Sequence, residues 1–266
     1  MPSLRRQSLP LLFIAALASA TSCQSPQSYP AIPALAGCTD RTRQFQGQTR
    51  RYLLTVPELS PAQRRAKMPL LIVLHGLGMT PESLVHATKG RFDEQAREHG
   101  FVVAYPAGYE KSWHDARADP LGPAHLAGID DVAFLRTLIL KLRDEYAIDA
   151  ERVYLTGLSN GGFMSLRAIC ELGELVAGAA AVTAQLVPDQ RCTFARPKRL
   201  MMINGTEDTV VPYASGTIRV RGDDRGLALD TERSFALLSQ WPGCASDGAD
   251  EIALPALAPG ARSRAY

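Results

Sequence analysis

The fold of this chain is decided by the stretch Val153-Tyr154-Leu155-Thr156-Gly157-Leu158-Ser159-Asn160-Gly161-Gly162-Phe163-Met164, where a short apolar run breaks into small residues and then a helix-like pattern. Its centre matches the pattern G-x-S-x-G. In that pattern a serine stands on a sharp strand-to-helix turn, and the flanking glycines remove the Cβ clashes that the turn would cause. The stretch therefore predicts an exposed, nucleophilic hydroxyl on Ser159, although five matching residues also occur in ordinary Gly/Ser turns.

Apolar runs and helix-like segments alternate on both sides of this stretch. Residues 69–74 form an almost uninterrupted apolar run, which is typical of a strand buried on both faces of a parallel sheet. Helices are predicted over 81–100, from Asp130 or Asp131 onward, and over 161–171, and further strands over 51–57, 101–105, 152–156, 176–182 and 199–203. Because parallel connections need crossover elements, this alternation predicts a mostly parallel central sheet with helices on both faces.

The aspartates at the start of the predicted helix after the long loop have two interpretations. Asp130 and Asp131 precede an apolar stripe at helical spacing that begins with Val132. An aspartate at such a position accepts hydrogen bonds from the first helical N–H groups. We interpret the pair as helix caps and not as catalytic acids.

Composition excludes several classes of function. The chain has 266 residues, of which 46% are hydrophobic and 21% charged, as in a soluble globular protein with one substantial core. The formal charge of +2 and the lack of a basic stripe argue against nucleic-acid binding. No H-E-x-x-H motif, clustered Cys/His set or phosphate-binding glycine loop is present, so no metal or organic cofactor is predicted.

The N-terminus has the pattern of an export signal. Arg5 and Arg6 precede an apolar run over residues 9–20, which is too short to span a bilayer and ends in small residues. Residues 1–22 are therefore predicted to be a signal peptide that directs the protein to the periplasm or the extracellular space. Cleavage after Ala20 fits an ordinary signal peptidase, whereas an imperfect lipobox would leave a lipidated Cys23 as a membrane anchor.

The remaining chain divides into a linker and one domain. Residues 23–37 are rich in Pro, Ser and Ala without periodicity and are predicted to be a flexible linker, followed by a domain over residues 38–266. Export permits disulfide formation, and of the five cysteines Cys170 and Cys192 form the preferred pair. The alternative is that both are buried thiols.

Two loops could complete a site around Ser159. A serine nucleophile needs a base, an acid to orient that base, and donors for the developing oxyanion. Glu207 and Asp208 follow the buried strand over 199–203, at the edge where open α/β sheets place their sites. The loop His75-Gly76-Leu77-Gly78 follows an earlier buried strand and could supply an oxyanion donor, while His75 could equally stabilise that loop.

Several motifs together resemble one family. They are Leu74-His75-Gly76, Ser112-Trp113, Gly128 to Leu135, Arg152-Val153-Tyr154 with the serine stretch, and Gly205-Thr206-Glu207-Asp208 with Val211-Pro212-Tyr213. In this order, over about residues 50–245, they resemble the exported α/β-hydrolase esterases that include polyhydroxybutyrate depolymerases, feruloyl esterases and acetyl-xylan esterases. The resemblance implies the α/β-hydrolase fold and a secreted serine esterase that acts on polyesters or on feruloyl or acetyl esters of plant polysaccharide.

The resemblance also implies roles for individual residues. Ser159 is expected to be the nucleophile, and Asp208 is preferred over Glu207 as the acid. The backbone N–H groups of Asn160 and Leu77 are the expected oxyanion donors, with Gly78 as an alternative to Leu77. Trp113 is expected near the substrate pocket, with simple loop packing as the alternative.

The sequence departs from the family at the base. All five histidines precede Ser159, whereas relatives carry the catalytic histidine near the C-terminus in a Gly-Gly-His-x-Trp-Pro-Gly-like segment. We expect that a C-terminal strand and the histidine loop are missing from this sequence. Two alternatives are that His114 acts as the base, or that the chain is a decayed hydrolase that binds esters or polysaccharide. Asn204 also stands where relatives often carry histidine.

Overall fold

A seven-stranded sheet organises the computed structural model, which describes residues 38–58, 66–190, 192, 194 and 196–240, and the backbone of 252–254 and 263–265. Its strands are β1 (Cys38–Phe45), β2 (Gln48–Thr55), β3 (Met68–Leu74), β4 (Val102–Pro106), β5 (Ile148–Leu158), β6 (Gly178–Val182) and β7 (Arg199–Ile203). Their spatial order is β1-β2-β4-β3-β5-β6-β7. β1, β2 and β4 pair antiparallel, and the strands from β4 to β7 pair parallel. The predicted mostly parallel sheet is confirmed.

Six helices and two short hairpins complete the described chain. The helices are α1 (Pro81–Ala87), α2 (Arg91–His99), α3 (Pro123–Leu126), α4 (Asp131–Glu145), α5 (Asn160–Glu171) and α6 (Thr231–Leu238). The hairpins pair β8 (Gly216–Val220) with β9 (Asp223–Ala228), and β10 (Ile252–Leu254) with β11 (Ser263–Ala265). Within these ranges no helix is both long and apolar enough to cross a bilayer.

Helices cover both faces of the sheet, as predicted. Along β3, Leu70, Ile72 and Leu74 belong to the same buried cluster as the apolar residues of α4 and α5. Val73, which points to the opposite face, packs with Leu84 and Val85 of α1. This alternation follows from the two-residue period of a strand, and it explains why the run has no polar position.

The structure corrects the prediction of one helix over residues 81–100. The chain forms α1 and α2 instead, because Lys89 and Gly90 between them adopt positive φ angles of 52° and 66°. Thr80 caps α1 in a reciprocal capping box with Ser83. At α4 the predicted cap is confirmed for Asp130, which accepts from the N–H of Ala133, whereas Asp131 lies buried in the first turn.

The predicted disulfide is present between Cys170 and Cys192, so the last turn of α5 is tied to the segment before β7. Among the described cysteines, Cys38 is free. The predicted signal peptide, linker and Cys23 lie outside the described residues, as does Cys244.

Candidate active site

Ser159 stands at the turn between β5 and α5. Its backbone has φ 54° and ψ −121°, a conformation that is strained for a residue with a Cβ. The turn is held because Ser159 donates its N–H to the carbonyl of Val182 at 2.8 Å and accepts from the N–H of Phe163 at 2.9 Å. Its hydroxyl does not cap α5. Within the described residues the hydroxyl of this half-buried serine makes no hydrogen bond, and it lies at the carboxyl edge of the sheet.

The flanking glycines are required by close backbone approach. A Cβ on Gly157 would lie 2.2 Å from the carbonyl oxygen of Gly161. A Cβ on Gly161 would lie 2.3 Å from the carbonyl oxygen of Leu74 and 2.6 Å from that of His75. Helix α5 can thus begin directly against the end of β3, so the serine turn and the loop after β3 lie side by side.

The loop after β3 lies next to the serine. A Cβ at Gly76 would lie 3.8 Å from the Cβ of Ser159. The N–H of Gly78 is already used, since it donates to the carbonyl of Lys111 at 2.8 Å. Within the described part of the chain the N–H of Leu77 has no partner. This geometry favours Leu77 over Gly78 as a donor, together with the first N–H of α5 at Asn160.

His75 stabilises this loop as a neutral ring. Its Nε2 accepts from the N–H of Gly108 at 2.9 Å, so Nδ1 carries the proton and donates to the carbonyl of Gly76 at 2.8 Å. Burial lowers the pKa of His75 to about 4. With both nitrogens engaged, His75 fits the structural interpretation of this residue.

Of the two places expected for Trp113, the structure favours loop packing over the substrate pocket. Its side chain is 0% exposed, and its Nε1 donates to the carbonyl of His75 at 2.9 Å. Its ring also packs on that of His75, with centroids 5.2 Å apart. A side chain buried in this way offers no surface to a substrate, so the substrate contact expected for Trp113 is replaced by support of the loop from beneath.

A buried polar network, which the sequence analysis missed, joins the serine turn to the loop after β4. The amide of Asn160 accepts from the N–H of Trp113 at 2.8 Å and donates to the Trp113 carbonyl at 2.9 Å and to Asp115 Oδ2 at 2.6 Å. Asp115 also pairs with Arg117 at 2.7 Å, and the guanidinium lies over the ring of Phe163. No sequence pattern marks Asp115, because the loop that carries it has no periodicity.

Asp208 lies on the expected edge of the sheet. Leu158, Val182 and Ile203 are aligned in register at the ends of β5, β6 and β7, and Asp208 follows Ile203 by one short loop. Its Oδ1 accepts from the N–H groups of Val210 at 2.8 Å and Val211 at 2.9 Å, which fixes the carboxylate.

Glu207 and Asn204, which are close to Asp208 in the sequence, make different contacts from it. Glu207 is exposed, and no hydrogen bond fixes it within the described residues, so the geometry favours Asp208 as the acid. Asn204 ties the end of β7 to the chain after β6, because its Oδ1 accepts from the N–H of Ala184 at 2.9 Å.

None of the five histidines is placed as the partner of Ser159 and Asp208. His86 lies in α1, and His99 ends α2, where it contacts Gln95. The His114 Nδ1 bonds the carbonyl of Ile129 at 2.7 Å, and its ring stacks on His125 at 4.4 Å.

The pair His114 and His125 lines a cavity of about 500 Å³ together with Cys170 and Glu171 at the far end of α5. Ser159 and Asp208 are not among the residues that line this cavity. This position argues against His114 as the base. Over the ranges that the structure describes, no group of three His, Cys, Asp or Glu side chains could hold a metal ion.

Comparison with known proteins shows the family of this chain. The sequence model of the phospholipase/carboxylesterase family matches residues 59–220, more than half of the chain. The chain belongs to this family. Its members are esterases with the α/β-hydrolase fold, and the matched range includes Ser159, Asp208 and the loop after β3.

Two similar proteins with named activities are about 30% identical to this chain. NocK of Nocardia uniformis subsp. tsuyamanensis, described as an esterase, is 29% identical over 86% of this chain and 67% of its own. Feruloyl esterase B of Piromyces equi is 30% identical over 50% of this chain, which spans only 26% of that protein. The chain thus covers about a quarter of this second relative.

Solved structures support the fold. A thermostable esterase superposes with a TM-score of 0.52 at 24% identity, over 68% of this chain and 49% of its own. The protein pOPH superposes with a TM-score of 0.53 at 16% identity, over 76% of this chain and 74% of its own. At these identities the match shows a shared α/β-hydrolase fold.

Proposed function

We propose that this protein hydrolyses carboxylic esters through an acyl-enzyme on Ser159. The observation that carries the proposal is the strained backbone of Ser159, with φ 54°, at the β5–α5 turn beside the loop after β3. Such strain persists only where the surrounding structure maintains it, and it clusters at functional sites.

The proposed reaction has two stages. Ser159 Oγ attacks the ester carbonyl, and the N–H groups of Leu77 and Asn160 stabilise the oxyanion of the tetrahedral intermediate. Collapse of the intermediate breaks the bond to the alcohol, which departs with the proton that Ser159 has given up, and an acyl-serine remains. Water then attacks the acyl-serine, releases the carboxylic acid and restores Ser159.

The base that accepts the serine proton is not among the histidines of this sequence, given their positions. Asp208 would orient such a base if one were supplied. We therefore propose slow turnover by these 266 residues. In serine proteases the oxyanion hole and binding alone retain about 10³–10⁴-fold catalysis over water when the triad is removed.

The substrate class rests on the relatives. Besides feruloyl esterase B of Piromyces equi, they include a bifunctional acetylxylan esterase/xylanase of Neocallimastix patriciarum and a poly(3-hydroxyalkanoate) depolymerase of Paucimonas lemoignei. We propose feruloyl or acetyl esters of plant polysaccharide, or hydroxyalkanoate polyesters, as substrates. We also propose export by residues 1–22, with lipidation of Cys23 as an alternative to release.

A second candidate is an exported protein that binds esters or polysaccharide without turning them over. The positions of the five histidines favour it, because none is placed to activate Ser159.

Covalent labelling and chemical rescue test the proposal. A fluorophosphonate should modify Ser159, and added imidazole, acting as the base, should accelerate the hydrolysis of p-nitrophenyl acetate beyond the rate that the same imidazole gives without protein. Ser159→Ala should lose both effects, whereas Ser215→Ala, at an exposed serine, should retain them. Imidazole-dependent hydrolysis that is equal in Ser159→Ala would reject the nucleophile. Unlabelled Ser159 with retained ester binding would favour the second candidate.

A further inference from the structure

We propose that Asp115 is a positioning residue that fixes both halves of the oxyanion site; this inference rests on the proposed function of Ser159. Asp115 is not an expected member of the site, and it does not touch the reacting atoms. Its side chain is buried with 0% exposure, so a structural reason is needed for keeping a carboxylate there.

The carboxylate of Asp115 is saturated by partners from its own loop and from α5. Oδ1 accepts from the backbone N–H of Arg117 at 2.9 Å, and Oδ2 accepts from Arg117 Nη2 at 2.7 Å and from Asn160 Nδ2 at 2.6 Å. Arg117 compensates the charge, and its guanidinium lies 4.5 Å from the ring centre of Phe163. The ion pair is therefore locked against the first turn of α5.

Asp115 determines the orientation of the Asn160 amide. An ionised carboxylate only accepts hydrogen bonds, so the NH₂ group of Asn160 must face it. The Asn160 oxygen is then left to accept from the N–H of Trp113, and the second NH₂ proton goes to the Trp113 carbonyl. All the hydrogen-bonding groups of this buried amide except one lone pair are thus used.

The same network reaches both proposed oxyanion donors. Asn160 is the first residue of α5, and its backbone N–H is one donor. Trp113 continues the network by donating its indole N–H to the carbonyl of His75, which begins the loop that carries the other donor, Leu77. A shift of Asp115 would therefore disturb the distance between the two donors.

The test measures the rate of fluorophosphonate labelling of Ser159, with imidazole added to all samples, and hydrogen exchange at the Trp113 amide. In Asp115→Asn an NH₂ group replaces one of the two oxygens of the carboxylate. That NH₂ group faces donors of Arg117 or Asn160 and cannot accept hydrogen bonds from them. We expect the maximal labelling rate to fall about 10- to 100-fold, because a displacement of about 1 Å in an active site can slow a reaction by as much as about 100-fold. The half-saturating probe concentration should stay unchanged. The Trp113 amide should exchange faster.

A second variant removes the ion pair as a unit. Asp115→Leu combined with Arg117→Met leaves no unpaired buried charge, so it should fold, yet it still deprives Asn160 of its acceptor. We expect the same loss of labelling rate and the same faster exchange.

Asp119→Asn is the matched control. Asp119 is a buried carboxylate on the same loop, 3.3 Å from Arg225, and it does not contact Asn160. Arg225, its partner, also accepts from Arg117 through its backbone carbonyl at 3.3 Å, but within the described residues Asp119 makes no hydrogen bond to Asp115 or Asn160. Its substitution should therefore leave both measurements within about two-fold of wild type.

The outcomes separate the two proposals. If the fluorophosphonate does not label Ser159 in wild type, the proposed function is rejected. Hydrogen exchange at the Trp113 amide would still show whether Asp115 fixes the hydrogen bonds between Asn160 and Trp113. Unchanged Trp113 exchange in both Asp115 variants would overturn the positioning role. So would an equal loss of labelling in Asp119→Asn.

Discussion

Single residues in the serine turn combine strain with close packing. Ser159 adopts a conformation that costs of order 1–3 kcal/mol, and the neighbouring backbone maintains it through the hydrogen bonds of Val182 and Phe163. The glycines that permit this packing were visible in the sequence. Their partners, the carbonyls of Leu74 and His75, were not, because they come from a strand about 80 residues earlier.

Gly161→Ala should destabilise the protein. Alanine is favoured over glycine by about 1 kcal/mol inside a helix, but the new Cβ would lie 2.3 Å from a backbone oxygen that cannot rotate away. Overpacking of this kind costs about 1–3 kcal/mol or more, so the clash should dominate. We expect a lower midpoint of thermal unfolding. Gly205→Ala, where the nearest atom is 3.8 Å away, should be neutral; equal midpoints for the two variants would contradict the packing.

His75 should make folding stability depend on pH. Its pKa is lowered to about 4 in the folded state by burial, from 6.5 when exposed. The unfolded state therefore binds the proton first as pH falls, so this contribution to stability is complete above pH 6.5 and is lost towards pH 4. This shift in the pKa of His75 corresponds to a contribution of at most about 3 kcal/mol to the free energy of unfolding.

Urea unfolding across this pH window measures the effect. His125, whose pKa burial also lowers, adds to the same trend. In His75→Gln the free energy of unfolding should depend less on pH between these limits than in wild type. The same pH dependence in both proteins would show that His75 is not the group responsible.

At the scale of elements, periodic segments were predicted well and segments without periodicity were not. The strands β3 and β7 and the helices α4 and α5 follow the predicted ranges closely, because their apolar patterns are local, whereas β5 extends beyond the predicted 152–156 at both ends, to Ile148–Leu158. The break between α1 and α2 was missed, since helix-like spacing continues across it. The hairpin of β8 and β9 was also missed, and its two strands bury only Ile218, Gly226 and Ala228.

The disulfide should stabilise the connection between α5 and β7. Cys170 and Cys192 are 22 residues apart, and closing a loop of this size stabilises a protein by about 3 kcal/mol in the chain-entropy model. Replacing both by alanine should lower the denaturant midpoint by a corresponding amount. Cys38→Ala, at a free cysteine, should have a smaller effect. A reducing agent should lower the denaturant midpoint of wild type but not that of the variant without the bridge.

At the scale of the whole molecule, the sheet ends in an apolar strand. β7 is the last strand in the sheet order, and its alternating residues Met201 and Ile203 are 57% and 47% exposed. Within the described residues no further strand pairs with β7, and an exposed strand edge with apolar side chains is a template for association between copies.

Met201→Lys should therefore reduce association without loss of stability. A lysine on the exposed face of an edge strand disfavours edge-to-edge pairing. We expect a smaller weight-average mass in sedimentation and an unchanged thermal midpoint. Met202→Lys, one residue along the strand, faces the cluster of Phe163 and Leu166 and should unfold the protein more readily. Association of Met201→Lys equal to that of wild type would remove β7 as its cause.

The sequence by itself determined the α/β alternation, the serine turn and the loops that flank it, because apolar periodicity and glycine requirements are local properties of the chain. Tertiary structure alone decided which groups meet. It buried Trp113 beneath the loop after β3, fixed Asp115 against Asn160, and placed His114 in a cavity that Ser159 does not line. These contacts join residues 38 or more positions apart through loops without periodicity, so their partners are set by packing and hydrogen bonding across the folded chain.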